Sequence, residues 1–282
     1  MMIEEQTVKN QKIALIVEYD GSAFFGWQLQ KNPPVDTVQY RLENALSTVA
    51  NQPIKTFCAG RTDTGVHASA QVVHFETTAQ RTLRAWREGV NAHLPDAVVV
   101  RWAGVVAEDF HARFSAQQRS YRYIILNQAV RSPILHKKVT QVKAPLDIVA
   151  MQTAANHLLG ELDFSAYRAA GCQSNSPFRC MHALRICRQG DFVVAELTAN
   201  AFLLHMVRNI MGVLIAIGSG EKPTIWAKEV LDSRDRCQAG LTAKPYGLYL
   251  VKVDYPQHYG LPNLLPGPVF LPARQDNDEE SR

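Results

Sequence analysis

The chain has 282 residues, 46% of them hydrophobic and 20% charged, with a formal net charge of +4. That balance belongs to a globular protein of one large or two medium domains and excludes a fibrous or largely disordered chain. The opening residues, MMIEEQTVKN, are polar and acidic, and no apolar run approaches the roughly 20 residues that span a bilayer, so neither a secretory leader nor a membrane segment is expected.

After a loose N-terminus, residues 1–11, the run KIALIVEY at 12–19 is rich in β-formers and ends at the turn signal Asp20-Gly21, which predicts a buried strand. Phe24, Phe25, Gly26, Trp27 and Gln28 set aromatics beside a glycine in a loop, either as a lid on the core or as a stacking surface. From Asp36, the residues Val38, Leu42, Ala45, Leu46 and Val49 fall at helical spacing, with Asp36 and Gln39 placed as a capping box and Pro53 beyond the end. Residues 54–59 and 70–76 predict strands joined by a turn. Residues 83–93 predict a helix marked by Leu83, Trp86 and Val90, and 98–106 a strand. The order β-α-β-β-α-β is ferredoxin-like, in which both helices can cover one sheet face and leave the other available.

The second half repeats this order. Residues 121–127 (YRYIILN) predict a strand, 146–159 a helix ending at Gly160, 183–188 and 192–198 a pair of strands, 202–218 a helix, and 249–253 a last strand. The expected fold class is α+β, with two ferredoxin-like halves, 12–116 and 117–260, related by a pseudo-twofold, their mainly antiparallel sheets forming a central cleft. The repeat rests on element order, since the halves share no residue-level identity. Residues 167–177 (YRAAGCQSNSP) read as a polar surface loop, and 261–282 as a Pro-rich, then charged, C-terminal extension whose end is expected to be disordered.

Two stretches carry candidate chemistry. In CAGRTDTGVHASAQVVHF, residues 58–75, Asp63 lies between Arg61 and a glycine turn at Gly65. A nearby cation and turn amides both favour the charged form of such a carboxylate, which a nucleophile or base needs; Asp, Thr and Gly are also ordinary turn residues. The helix at 202–218 is apolar almost all round, yet His205, Arg208, Asn209 and Gly212 fall at i, i+3, i+4 and i+7 and form one polar stripe. A buried arginine keeps its charge and must be paired, either in a structural ion pair or in a site. If the cleft lies between the halves, the Asp63 turn and Arg208 are natural partners, which would hold Asp63 ionised and leave one oxygen free. Basic residues His111, Arg113, Arg119, Arg122, Arg131, Lys137 and Lys138 are interleaved with Phe110, Phe114, Tyr121 and Tyr123, as a solvated face or an RNA surface.

The five cysteines, Cys58, Cys172, Cys180, Cys187 and Cys237, are odd in number and form no C-x-x-C pair. A disulfide framework or structural zinc site is not expected, and reduced thiols in the cytoplasm are the simplest account. His74-Phe75-Glu76 supplies the H-x-E of a zinc nucleobase deaminase, but the P-C-x-x-C that class needs is missing.

The segments GRTDTGVHA (60–68), YDGSAFFGWQ (19–28), FHARFSA (110–116), YRY (121–123), HMVRNIMG (205–212) and GLYL (247–250) together closely resemble the tRNA pseudouridine synthase A family, in family order from about residue 12 to 271. The resemblance implies isomerisation of uridine to pseudouridine at positions 38–40 of the tRNA anticodon stem-loop, in the cytoplasm, by a homodimer in which each tRNA touches both subunits, with no metal or organic cofactor. It further implies Asp63 as nucleophile or base, Tyr121 stacked on the target uracil, Arg208 paired with Asp63, Leu248 as an apolar wall of the uracil pocket, and Arg61 filling the space of a flipped base. For tRNA contact it implies Arg81, the segment Phe110, His111, Ala112, Arg113 and Phe114, and the loop Gly171, Cys172, Gln173, Ser174 and Asn175, where Asn175 stands in place of an expected basic residue. A non-catalytic RNA-binding module on the same scaffold would need neither Asp63 nor a buried Arg208.

Overall fold

The structure, a computed structural model, describes residues 10–30 and 34–271. The first unit comprises β1 (Gln11–Tyr19), α1 (Val38–Ala50), β2 (Phe57–Cys58), β3 (His67–Thr77), a helical segment whose central turn Ala85–Gly89 is π-helical, and β4 (Val98–Val106). The second comprises β5 (Gln118–Asn127), β6 (Thr140–Val142), α2 (Ile148–Asn156), β7 (Gly160–Asp163), β8 (Phe178–Gln189), β9 (Phe192–Ala199), α3 (Met206–Gly218), α4 (Trp226–Ser233) and β10 (Leu248–Asp254).

The ten strands of the described residues join one open sheet in the order β4-β1-β3-β10-β5-β9-β8-β7, with β2 on β3 and β6 on β5. The strands of the first β-α-β-β-α-β unit run β4-β1-β3-β2 and those of the second β10-β5-β9-β8, the fourth-first-third-second order of a ferredoxin-like sheet in both cases. The two units follow one another across the sheet in the same sense, so the expected pairing of halves takes the form of a head-to-tail repeat. The seam is short: β10 runs parallel to β3 through His67↔Tyr249 and Ala68↔Leu250, whereas its pairing with β5 is antiparallel.

Period-two alternation decides which face each strand residue covers. Ile13, Leu15, Val17 and Tyr19 of β1 share a core with Tyr121, Tyr123 and Ile125 of β5, and with Leu42 and Leu46 of α1, Met151 of α2 and Ile210 and Leu214 of α3. The helices thus cover one face of both units, and each fully buried large aliphatic contributes about 1.5–3 kcal/mol to that core. The opposite face, expected to be left available, is covered. Phe110, Ala112, Tyr255 and Leu264 lie over Ala14, Ile16 and Val72, and Val139 and Leu271 lie with Ile124, Leu126 and Tyr249.

Several elements differ from expectation. The N-cap of α1 is Thr37, whose side chain accepts from Tyr40 N at 3.3 Å, while Asp36 makes two 2.8 Å bonds to Arg41 instead of capping. Gln39, the other half of the expected capping box, turns inward and donates to Glu43 at 2.9 Å. The helix α4, absent from the expected elements, buries Ala227, Val230 and Leu231, an i, i+3, i+4 pattern. Of the basic cluster, Arg122 takes the face opposite Tyr121 and Tyr123, as strand alternation predicts, and bonds Glu196, Pro266 O and Gly267 O there, whereas Arg119 is turned to the carbonyls of Ala116, Asn200, Ala59 and Arg113. The loose N-terminus and disordered tail fall, apart from residues 10, 11 and 261–271, outside the described residues.

The polar stripe of α3 is a seat for a backbone segment. Asn209 is fully buried, donates to Tyr167 O at 2.8 Å and accepts from Thr242 Oγ1 at 2.7 Å and Arg236 Nη2 at 3.1 Å. A Cβ on Gly212 would lie 1.9 Å from Leu241 O. We expect Gly212→Ala to push α3 off this segment and cost about 1–3 kcal/mol of stability, an overpacking penalty readable in urea unfolding. A wild-type midpoint would show that the 241–243 segment yields freely.

Candidate active site in the cleft between the two units

The turn bearing Asp63 is clamped from behind by the YDGSAFFGWQ segment. Tyr19 Oη and Thr62 Oγ1 are 2.8 Å apart, Trp27 N donates to Thr62 O at 3.0 Å, and Val66 N closes the turn on Asp63 O at 3.1 Å. Gln71 of β3 fixes the approach by donating to Gly60 O at 2.6 Å. Trp27 and Phe24 are core residues, while Phe25 is exposed. The glycine at position 21 is a matter of space, because a Cβ there would sit 1.9 Å from Val66 O. The sequence motif is therefore the cradle of the turn, through backbone contacts that no hydropathy pattern reveals.

Across the seam, the α3 stripe meets this turn. Arg208 Nη1 lies 3.5 Å and His205 Nε2 3.3 Å from the same oxygen, Asp63 Oδ2. Among the described residues, Oδ1 has no hydrogen-bond partner. Arg208 is aimed by its own backbone strand of contacts: Nε donates to Ala243 O at 2.9 Å, and Ala243 N returns a bond to Arg208 O at 3.0 Å. His205 belongs to the stripe, but its contact with Asp63 was not anticipated. It caps α3 in the left-handed region at φ 58°, a conformation costing about 1 kcal/mol or more for a non-glycine residue. Burial holds its ring below the usual histidine range, with Arg208 and Arg236 acting in the same direction against Asp63.

Tyr121 and Tyr123 lie on the same face of β5 but differ in use. Tyr123 Oη is engaged by Thr140 Oγ1 and Lys244 O, each at 2.7 Å. The Tyr121 hydroxyl has no such partner among the described residues, and its ring meets Phe202 edge-on at 5.0 Å and 83°. Burial raises the Tyr121 phenol, and the nearby Asp63 charge adds to the effect, so it stays protonated throughout the working range. Leu248, the first residue of β10, is buried opposite Tyr123. The cleft thus holds a carboxylate with one oxygen tethered and one free, and a protonated tyrosine close enough to sense its charge.

The rim residues are placed differently from one another. Arg61 is exposed and reaches across to Gln173 Oε1 at 3.4 Å, joining the turn to the 171–175 loop. That loop is held from inside by Arg168, which donates to Cys172 O at 2.7 Å and Ser174 O at 2.9 Å; Gly171, Gln173 and Asn175 face solvent. In the 110–114 segment, Phe110 and Ala112 are fully buried anchors, and His111, Arg113 and Phe114 face outward to differing extents. Arg81 donates to Val49 O at 2.9 Å and Ala50 O at 3.5 Å, so its guanidinium covers the C-terminal carbonyls of α1. His74 and Glu76, the H-x-E pair, part company: His74 Nδ1 accepts from Ala112 N at 3.1 Å and Glu76 pairs with Lys12 at 3.2 Å. Among the described residues, no three His, Cys, Asp or Glu side chains converge as a metal site.

A polar latch lies beside the seam. Asp20 accepts from Ser22 N and Oγ and pairs with Lys138 of the second unit, while His67 stacks on Tyr249 at 4.5 Å and places Nε2 3.1 Å from Tyr246 O. Burial raises the Asp20 carboxyl, but the contacts with His67, Lys138 and Ser22 outweigh it and hold the group well below the usual carboxylate range. A depressed folded-state value contributes stability that is fully present above the unfolded value of about 3.9 and is lost as pH falls from about 5 toward 2. Asp20→Asn should therefore flatten the acid limb of a stability-against-pH curve. An acid limb as steep as that of wild type would place the sensitivity elsewhere.

The family model described as tRNA pseudouridine synthase matches residues 15–115 and 154–256. The protein called tRNA pseudouridine synthase A from Shewanella amazonensis is 55% identical over 261 residues, covering 93% of this chain and 99% of its own. Its namesake from Pseudoalteromonas atlantica is 55% identical over 260 residues, covering 92% of this chain and 98% of its own. With the Asp63 turn and the α3 arginine inside the matched residues, and the relatives aligned over nearly the whole chain, the chain belongs to the tRNA pseudouridine synthase family.

Proposed function

We propose that this chain isomerises uridine to pseudouridine at positions 38–40 of the tRNA anticodon stem-loop, with Asp63 acting at the ribose of a flipped-out nucleotide. The observation that carries the reading is the free Oδ1 of Asp63, left open while Oδ2 is held by Arg208 and His205. The reaction breaks the N-glycosidic bond, turns the uracil and rejoins it through C5, so atoms and electrons balance within the nucleotide. One carboxylate suffices, either attacking C1′ or removing the 2′ proton to give a glycal.

The remaining residues take roles that follow from their positions. Tyr121 offers an aromatic face and a protonated hydroxyl to the uracil, and Leu248 an apolar wall. Arg208 and His205 both stand against Oδ2 of the carboxylate, which directs the free oxygen at the sugar. A stem nucleotide must leave its stack before a side chain reaches its ribose, at a cost of a few kcal/mol. Arg61 stands at the cleft mouth with a single long contact, placed to enter the vacated space. Outward-facing Arg113, Phe114 and the 171–175 loop contact the tRNA, and Phe110 and Ala112 support that contact from beneath. Arg81 joins it if its guanidinium leaves the α1 carbonyls. The enzyme works in the cytoplasm as a homodimer with each tRNA touching both subunits.

Asp63→Ala should lower pseudouridine formation by at least about 10³-fold while tRNA binding largely survives. Equal loss of binding would make Asp63 a folding residue, and retained turnover would sink the mechanism. Arg208→Met should leave a folded protein about 10²-fold slower at saturating tRNA. Wild-type turnover in that variant would remove the pairing from the account.

A further inference from the structure

Beside the Asp63 turn, the outer surface of the first unit carries a run of rings and cations that the roles above do not use in full. Phe57 of β2 stacks on His74 of the neighbouring strand at 5.2 Å and 22°, and touches the His111 ring at 5.6 Å. His111 packs on Phe114 at 4.4 Å. A cation stands over each end: Lys55 Nζ lies 5.6 Å from the Phe57 centroid and Arg113 5.5 Å from that of Phe114. The run is exposed where it matters, with Phe57 43% and Phe114 75% accessible.

These features differ from an ordinary solvated face. The rings are held from beneath, since Ala112 N donates to His74 Nδ1 and the amides of Arg113 and Phe114 donate to His111 Nδ1 at 3.1 and 3.3 Å. Fixed aromatic faces with mobile cations beside them are what unpaired bases and their phosphates require. The platform is also close to the reacting carboxylate: Phe57 precedes Asp63 by six residues of chain, a reach of at most ~20 Å.

We infer that Lys55 and Phe57 extend the RNA surface into a base-stacking platform, which takes an unpaired nucleotide of the substrate tRNA on the Phe57 ring and its phosphate on Lys55. The inference rests on the proposed function, because it needs tRNA in the neighbouring cleft. On binding, Lys55 leaves the ring face for the phosphate and the base takes its place.

The test uses the full chain and an unmodified tRNA substrate. Phe57→Leu keeps bulk and hydrophobicity but removes the aromatic face, so it should raise both Kd and KM about tenfold with kcat within twofold, and Phe57→Tyr should restore wild-type affinity. Lys55→Ala should reduce the slope of log K against log salt by a little under one. Thermal unfolding is run on each variant. If Phe57→Leu is destabilised, Lys55→Glu, at an exposed position, is read in its place and should raise Kd more than Lys55→Ala does. Unchanged Kd in a folded Phe57→Leu or Lys55→Glu variant, or an unchanged salt slope in Lys55→Ala, overturns the platform. Wild-type protein that converts no uridine at all would instead overturn the proposed function.

Discussion

Two parallel residue pairs, His67 with Tyr249 and Ala68 with Leu250, join the halves of this molecule, and the site depends on them. The carboxylate arrives from one side of this seam and its partners from the other. Neither unit alone brings Asp63 together with Arg208 and His205. A backbone junction of two pairs is weak in isolation, which explains the reinforcement around it: the shared helix-side core, the His67–Tyr249 stack and the Asp20–Lys138 pair.

The Asp63–Arg208 contact is better understood as positioning than as stabilisation. At 3.5 Å and an effective dielectric constant near 20, the gross attraction is about 5 kcal/mol, and the cost of removing both charges from water offsets most of it. What the pair secures is direction. Arg208 is anchored through Ala243, His205 is held in a left-handed cap, and both converge on Oδ2. The oxygen that remains is the one open to a substrate, and in the proposed reaction the Tyr121 ring would face the uracil.

Much of this was legible in the sequence, for identifiable reasons. The β-α-β-β-α-β order came through because alternation and helical periodicity are local signals, and β1 and β5 lie within a residue or two of expectation at most ends. The Asp63 and Arg208 pairing followed from a single physical constraint, that a buried guanidinium needs an anion. What the sequence did not disclose was non-local. The role of the YDGSAFFGWQ segment is set by backbone contacts to residues some 40 positions away, such as Trp27 to Thr62. His205 was visible as part of a stripe, but only the approach of the first unit shows what it faces. Alternation along β5 already separates Arg122 from Tyr121 and Tyr123, but charge read along the chain does not show that Arg119 is spent on main-chain carbonyls. The cap of α1 moved by one residue because Asp36 found a better partner in Arg41.

If this cleft, completed by two halves of one chain, acts on uridines of the tRNA anticodon stem-loop, a map of pseudouridines across all tRNAs from cells lacking this protein should show loss confined to positions 38–40, with pseudouridines elsewhere unchanged. Intact pseudouridines at those positions, or loss at other tRNA positions alone, would contradict that role.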